Sequence, residues 1–216
     1  MKSYLYLGYL ISMFLITYIS IIYTKKYAPN KIKVIYICLF SLIFIRNAVL
    51  FYTYLSNNLT NLYLAKGIIY FNLLCFPIAG IMSFYIFLRD NKFNFNNILG
   101  VIGILFISYI VNVYLNEANI NLIDSLGYIF VSSNIKFIKI FTLVLYGSIM
   151  LISLRIFSGK ASNKFGGTLI VISSITTIIC NYLFYGNDAM IITTYLSEVL
   201  WVMTLFYSLI RFKKSH

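Results

Sequence analysis

One stretch of the chain, Leu62–Leu88, limits the possible folds more than any other. It is apolar over 27 residues, with Lys66 near its start as its one charged side chain, and Arg89 follows directly after it. A helix needs roughly 20 apolar residues to cross the hydrocarbon core of a bilayer. The stretch is therefore predicted to be a membrane span.

Six other apolar runs of similar length predict seven spans in all, at 3–23, 34–55, 62–88, 97–115, 136–154, 167–186 and 190–210. The 216 residues are 61% hydrophobic and only 10% charged, too few charges to cover a soluble domain of this size. We therefore expect an all-α, multi-pass protein with one seven-helix domain over residues 1–216. The abundance of Ile, Asn, Lys, Tyr and Phe suggests an AT-rich bacterial genome, and hence a bacterial plasma membrane.

The net charge of +12 could indicate nucleic acid binding, but the cations form short clusters on alternate connections. These clusters are Lys25, Lys26, Lys31 and Lys33; Arg89 and Lys92; Arg155, Lys160 and Lys164; and Arg211, Lys213 and Lys214. The positive-inside rule then places the amino terminus outside and the carboxyl terminus in the cytoplasm, with the lipid bilayer as partner and no nucleic acid. The long outer connection, 116–135, contains an apolar patch, Leu126–Val131, that either lies on the membrane or caps the outer mouth of the bundle.

Two charges fall deep inside predicted spans. Arg46 lies nine residues from the outer end of the second span, and Glu198 lies eight residues from the outer start of the seventh. Both are about 12–14 Å below the outer surface, where an unpaired charge costs up to about 2.5–3.5 kcal/mol. Their similar depth and opposite sign predict an ion pair. It is either a static pair that fixes helix register, or a functional one that forms the polar floor of a ligand site or rearranges on signalling. Snorkelling without pairing is the remaining possibility.

Further polar residues in the outer half could line an outward-facing cavity with this pair: Asn47, Lys66, Asn72 and Asn181. Ordinary hydrogen bonding between helices is the simpler alternative. Pro77, in the middle of the third span, removes a backbone donor and is predicted to kink that helix. The kink is either static or a hinge.

Catalytic machinery is not evident in the sequence. The single histidine is His216, and Cys38, Cys75 and Cys180 lack the spacing of a metal site or a disulfide framework. No span carries paired carboxylates or a hydrolase motif. We therefore expect no catalytic residue, metal or cofactor, and a protein that is not an enzyme.

Residues of three spans carry a resemblance to a known family. They are Leu64-Ala65-Lys66, Tyr70, Pro77, Phe84 and Phe87-Leu88-Arg89 in the third span, and Asn181-Tyr182-Leu183, Asp188, Thr194 and Ser208-Leu209-Ile210-Arg211 around the last two. This pattern resembles the seven-helix membrane input region at the amino end of many bacterial histidine kinases and diguanylate cyclases. In that family the last helix leads into an output domain, whereas five residues follow Arg211 in this sequence. The resemblance therefore implies an input region whose output is supplied by a partner protein.

The expected function is that of a sensor or receptor. Its outer half would detect a ligand or the state of the membrane, and helix contacts would pass the signal to a protein partner. The alternative is a membrane subunit of a transport or immunity system of the ABC type.

Overall fold

The computed structural model describes residues 2–56, 62–88, 94–123, 126–159, 162–184 and 191–213. Its elements, in chain order, are α1 (Lys2–Tyr27), α2 (Asn30–Leu55), α3 (Leu62–Ile69), α4 (Asn72–Leu88), α5 (Phe95–Leu115), β1 (Ala118–Ile123), β2 (Gly127–Ser132), α6 (Ile135–Ser153), α7 (Arg155–Ser158), α8 (Lys164–Phe184) and α9 (Ile191–Lys213). Seven helical segments are long and apolar enough to cross a membrane. The predicted seven-helix bundle is confirmed, while the span ends predicted at 186 and 190 lie outside the described residues.

The third span, α3 followed by α4, is the centre of the bundle. Within its most apolar window 78% of the residues are buried, against 17% for the fourth span, α5. Helix α4 packs against α2, α5, α6, α8 and α9. Such burial explains why this stretch is apolar around its whole circumference and not along one stripe only.

At two contacts of α4 with its neighbours, an aromatic ring packs directly on the backbone of a glycine. The ring of Trp201 on α9 lies 3.0 Å from the position that a Cβ would take on Gly80. The Phe87 ring lies 2.5 Å from the corresponding position on Gly166 of α8. Larger side chains at these two glycines would displace the buried aromatic rings.

The connection between α5 and α6, predicted to lie outside, folds into an antiparallel hairpin that the sequence did not predict. Strand β1 pairs with β2 from Ala118 opposite Ser132 to Ile123 opposite Gly127. Leu126 and Ile129 are buried within the core cluster of the bundle. The apolar patch Leu126–Val131 therefore caps the bundle, which is one of the two positions that the sequence left open.

The tyrosines of the first span divide between two environments. All three at its outer end, Tyr4, Tyr6 and Tyr9, suit an aromatic belt at the membrane interface by sequence alone. Tyr4 is exposed, as a belt residue would be, but Tyr6 and Tyr9 are buried in the core. For these two the belt interpretation is wrong, because they lie on the face of α1 that packs on α9.

The orientation of the bundle can be checked directly. The cation clusters predict that a reporter active only in the cytoplasm is active when fused after Lys214 and silent when inserted within residues 116–135. Reporter activity in intact cells measures both positions. Activity at both, or the reverse pattern, would contradict the orientation that places the hairpin outside.

Candidate functional site

Arg46 and Glu198 lie together at the hairpin end of the bundle. The Arg46 Nη1 atom donates to Glu198 Oε2 at 2.7 Å, and Nη2 donates to Oε1 at 2.7 Å. The two side chains are only 3% and 7% exposed. This planar, two-pronged geometry is the strongest form that an arginine–carboxylate contact takes. The structure therefore joins α2 to α9 through a fully buried ion pair.

A break in the third span supplies the next partner of Arg46. The helix is interrupted at Tyr70 and Phe71, between α3 and α4. In a continuous helix the Ile69 carbonyl would accept from the Leu73 amide, but that amide bonds to the Tyr70 carbonyl instead, at 3.0 Å. The Ile69 carbonyl accepts from Arg46 Nε at 2.9 Å. Arg46 thus satisfies a backbone acceptor that the break would otherwise leave unpaired inside the bilayer.

The same break also releases the Gly67 carbonyl from helical hydrogen bonding, and this carbonyl accepts from a side chain instead. The Phe71 amide bonds to the Ile68 carbonyl at 3.1 Å, and Tyr109 of α5 donates its hydroxyl to the Gly67 carbonyl at 2.7 Å. A Cβ at Gly67 would lie 3.7 Å from the Tyr109 oxygen, an ordinary van der Waals distance, so the contact does not require a glycine at this position. The interruption is therefore stabilised from both sides, by α2 and by α5.

Glu198 has one further donor. Tyr9 of α1 donates its hydroxyl to Glu198 Oε2 at 2.6 Å. The Tyr9 ring stacks on Tyr195, with centroids 4.6 Å apart, and Tyr6 packs against both rings. These contacts surround the carboxylate with aromatic faces and connect α1, α2 and α9 at one point.

A cavity of about 90 Å³ lies beside the ion pair, beneath the hairpin. Its walls come from α2, the break in the third span, β2, α8 and α9, and they include Arg46, Asn72, Tyr128, Asn181 and Glu198. The Asn72 side-chain oxygen is buried with no hydrogen-bond partner among the described residues. The cavity therefore presents polar groups at a depth where an apolar wall would be the simpler solution.

Four of the six polar residues predicted to line a cavity meet there: Arg46, Glu198, Asn72 and Asn181. Two do not. Asn47 is fully buried outside the cavity, and neither of its side-chain polar atoms has a hydrogen-bond partner among the described residues. Lys66 is half-buried on α3 and is not part of the cavity wall. Asn47 points away because it follows Arg46 directly, about 100° around the helix.

Pro77 lies within α4, which continues through it without interruption. The break in the third span falls between one and two turns earlier, at Tyr70 and Phe71. The sequence did not predict this break. The kink expected at Pro77 stays a prediction, because a proline can bend a helix without interrupting it. The proline sits in the buried part of α4, and the chain leaves helical geometry where Arg46 and Tyr109 donate to the released carbonyls.

Comparison of the chain with family models, with curated proteins and with solved structures gives no match. The resemblance to the input region of histidine kinases and diguanylate cyclases accordingly stays a prediction. In the described part of the chain, no three His, Cys, Asp or Glu side chains are grouped as a metal site would require.

Several residues of the site escaped the sequence interpretation. Tyr195 could have been predicted from the sequence, since it lies three residues before Glu198 and so shares its helix face. Tyr9 had none, because one tyrosine in an apolar run is equally typical of an interfacial belt. The Ile69 carbonyl and the hairpin residue Tyr128 had none either, since their positions follow from tertiary contacts.

Proposed function

We propose that this chain is a membrane receptor that is not an enzyme, binding a small ligand beneath the outer hairpin and passing the signal to a partner protein. The observation that carries the proposal is the cavity beside Arg46 and Glu198, where the hairpin, the broken third span and the last helix meet. Its size, about 90 Å³, is smaller than the roughly 150 Å³ of a cavity that accepts benzene. A polar ligand of a few non-hydrogen atoms fits this space.

The charges of the site favour binding over chemistry. Both oxygens of Glu198 accept hydrogen bonds, from Arg46 and from Tyr9, and Arg46 also serves the Ile69 carbonyl. Each charge is compensated by the other, so neither is available as a general acid or base. The ion pair leaves no net charge at the cavity, which favours a neutral ligand.

The route to a partner follows from the elements that line the cavity. Asn72 is the first residue of α4, and Thr194 lies on α9, near its start. Both helices run from the cavity to the opposite end of the bundle and pack against each other along the way. A ligand that holds these two walls closer together would shift one helix relative to the other, as a receptor needs.

Transport through the bilayer is the second candidate. A discontinuous span beside a polar cavity is typical of transporters, whose unwound carbonyls bind the substrate or the coupling ion. Here the released carbonyls of Gly67 and Ile69 are already bonded to Tyr109 and Arg46. This arrangement favours a receptor over a membrane subunit of a transport system.

The binding half of the proposal is tested on the full chain in detergent micelles, with acetamide and glycerol as small neutral probes. A probe that binds in the cavity is expected to raise the thermal unfolding midpoint of the native protein and of Asn121→Leu, an exposed hairpin residue outside the cavity. The shift should be lost in Asn72→Leu, which keeps the number and branching of the side-chain non-hydrogen atoms and removes the polar ones. Equal shifts in all three proteins, or no shift with any probe, would contradict the site.

The signalling half is tested by photocrosslinking in cells. A photoreactive amino acid replaces Phe165, which is exposed at the start of α8, at the end of the bundle away from the hairpin. Capture of a histidine kinase or a response regulator would support the receptor. Capture of an ATP-binding cassette protein would support the transport alternative instead.

A further inference from the structure

A second cavity lies in the other half of the bundle. It is a groove of about 480 Å³ between α4, α5 and α6, open to the surface that faces the bilayer. Its length along α5 runs from Asn97 to Ser108, and along α6 from Phe141 to Ile152. About eleven residues of helix span about 16 Å, which is half of the roughly 30 Å of hydrocarbon in a bilayer. The groove therefore corresponds in length to one leaflet.

The groove exists because α5 is loosely held. Among its described residues only Ile98, Leu105 and Asn112 are buried, and its main packing partner is α4. The opposite wall, on α6, presents Val144 and Ile152, which are both exposed. An apolar channel thus stays open between two neighbouring spans.

The chemistry of the walls excludes a polar occupant. Two of the polar side chains that line the groove, Ser108 and Ser148, donate their hydroxyls to the Leu105 and Val144 carbonyls of their own helices. The other lining positions inside the groove are hydrocarbon or aromatic. Apart from Asn97 at the rim and the hydroxyl of Tyr85, whose ring packs on Phe95 at the same end, the groove is lined by hydrocarbon and by these two bonded serines. Its occupant is therefore a hydrocarbon over most of its length.

The length of the groove favours a lipid chain over a protein helix. A helix that packs beside this bundle in the bilayer crosses both leaflets, or about 30 Å of hydrocarbon. The groove extends over about 16 Å, which corresponds to an acyl chain in one leaflet.

One end of the groove carries a positive charge. Arg155 is exposed and lies three residues after Ile152, the last groove residue of α6, so it shares that face of the helix about one turn further on. The intervening Leu154 keeps helical backbone angles. Asn97, which is also exposed, forms the rim at the same end of α5. These groups suit the phosphate of a headgroup at the membrane surface.

We propose that this groove binds an anionic phospholipid, with one acyl chain between α5 and α6 and the phosphate at Arg155. The site lies at the end of the bundle opposite the hairpin, in the leaflet on the side of the cation clusters. It is separate from the polar cavity and does not depend on the function proposed for that cavity.

The test is native mass spectrometry of the full chain in mild detergent, titrated with phosphatidylglycerol or with phosphatidylcholine of the same acyl chains. We expect the first phosphatidylglycerol to bind at least about tenfold more tightly than phosphatidylcholine. Arg155→Gln should abolish this preference, because it should weaken phosphatidylglycerol more than phosphatidylcholine, whose choline offsets the charge of the same phosphate. Equal affinities of the native protein for the two lipids would overturn the headgroup assignment.

Matched pairs of variants test the groove itself. Val144→Trp fills it and should weaken the first lipid about tenfold, whereas Leu143→Trp, at an equally exposed neighbour outside the groove, should not. Ile104→Trp on the opposite wall and its control Ile107→Trp repeat the comparison from α5. Equal effects within each pair would overturn the proposal. A second result would also overturn it: the native protein forms a dimer, and Val144→Trp abolishes the dimer while lipid binding persists. The occupant of the groove would then be a second copy of the chain.

Discussion

Replacing Arg46 alone by methionine is expected to lower the free energy of unfolding by about 3–5 kcal/mol, because Glu198 is then left charged and buried without its main partner. Glu198→Gln alone should also be costly. It keeps an acceptor for Tyr9 and for one nitrogen of Arg46, but places an amide NH₂ against the other nitrogen. Unfolding in mixed micelles with rising sodium dodecyl sulfate measures both losses.

The double substitution separates a coupled pair from two independent defects. Arg46→Met with Glu198→Gln removes both charges, so it should recover much of the loss of the single variants. Recovery should stay incomplete, because a methionine side chain cannot replace the hydrogen bond from Arg46 to the Ile69 carbonyl. Lys31→Met, which removes an exposed cation from the same helix, serves as control and should change stability by about 0.5 kcal/mol or less. Additive losses in the double variant would contradict coupling across this pair.

The seven spans and the meeting of two buried charges followed from local and additive properties of the sequence. Length and hydropathy define each span by itself, since a bilayer requires about 20 apolar residues regardless of the neighbours. Arg46 and Glu198 could be matched because each is costly alone in hydrocarbon and their depths can be counted from the span ends.

The details of the site did not follow, because they depend on which helix faces are neighbours. Nothing local distinguishes Tyr9, buried against Glu198, from Tyr4, exposed on the same helix. The break at Tyr70 lies away from Pro77, the residue that signals a break, because its position is determined by donors on other helices. The hairpin was missed for a related reason: its strands are stabilised by packing on the bundle, and two isolated strands are marginal in water.

Substituting Gly127 is expected to lift the hairpin from the bundle. Gly127 has a φ of +75°, where a residue with a side chain such as alanine is disfavoured by about 1–2 kcal/mol. A Cβ at this position would lie 2.7 Å from the Cα of Tyr54 and 2.9 Å from the carbonyl oxygen of Thr53, both backbone atoms of α2. The helix cannot yield as a flexible side chain would, so Gly127→Ala should displace the strand.

Opening is measured by the labelling of a buried position with a membrane-impermeant maleimide. Ser132→Cys serves as reporter, because Ser132 lines the cavity and is only 3% exposed, with Cys38, Cys75 and Cys180 replaced by serine. Gly127→Ala should raise the labelling rate about tenfold or more, since each 1.4 kcal/mol of lost packing is about tenfold in the open fraction. Gly103→Ala, at a helical glycine with open space around it, should leave the rate unchanged.

Asparagine at the same position separates the two causes of opening. It tolerates a positive φ far better than alanine does, but it carries a Cβ that meets the same backbone atoms of Tyr54 and Thr53. If the contact with α2 holds the hairpin closed, Gly127→Asn should open it as Gly127→Ala does. Labelling of Gly127→Asn at the native rate would make backbone strain the sole cause, and a native rate in both variants would mean that the hairpin does not close the cavity at this point.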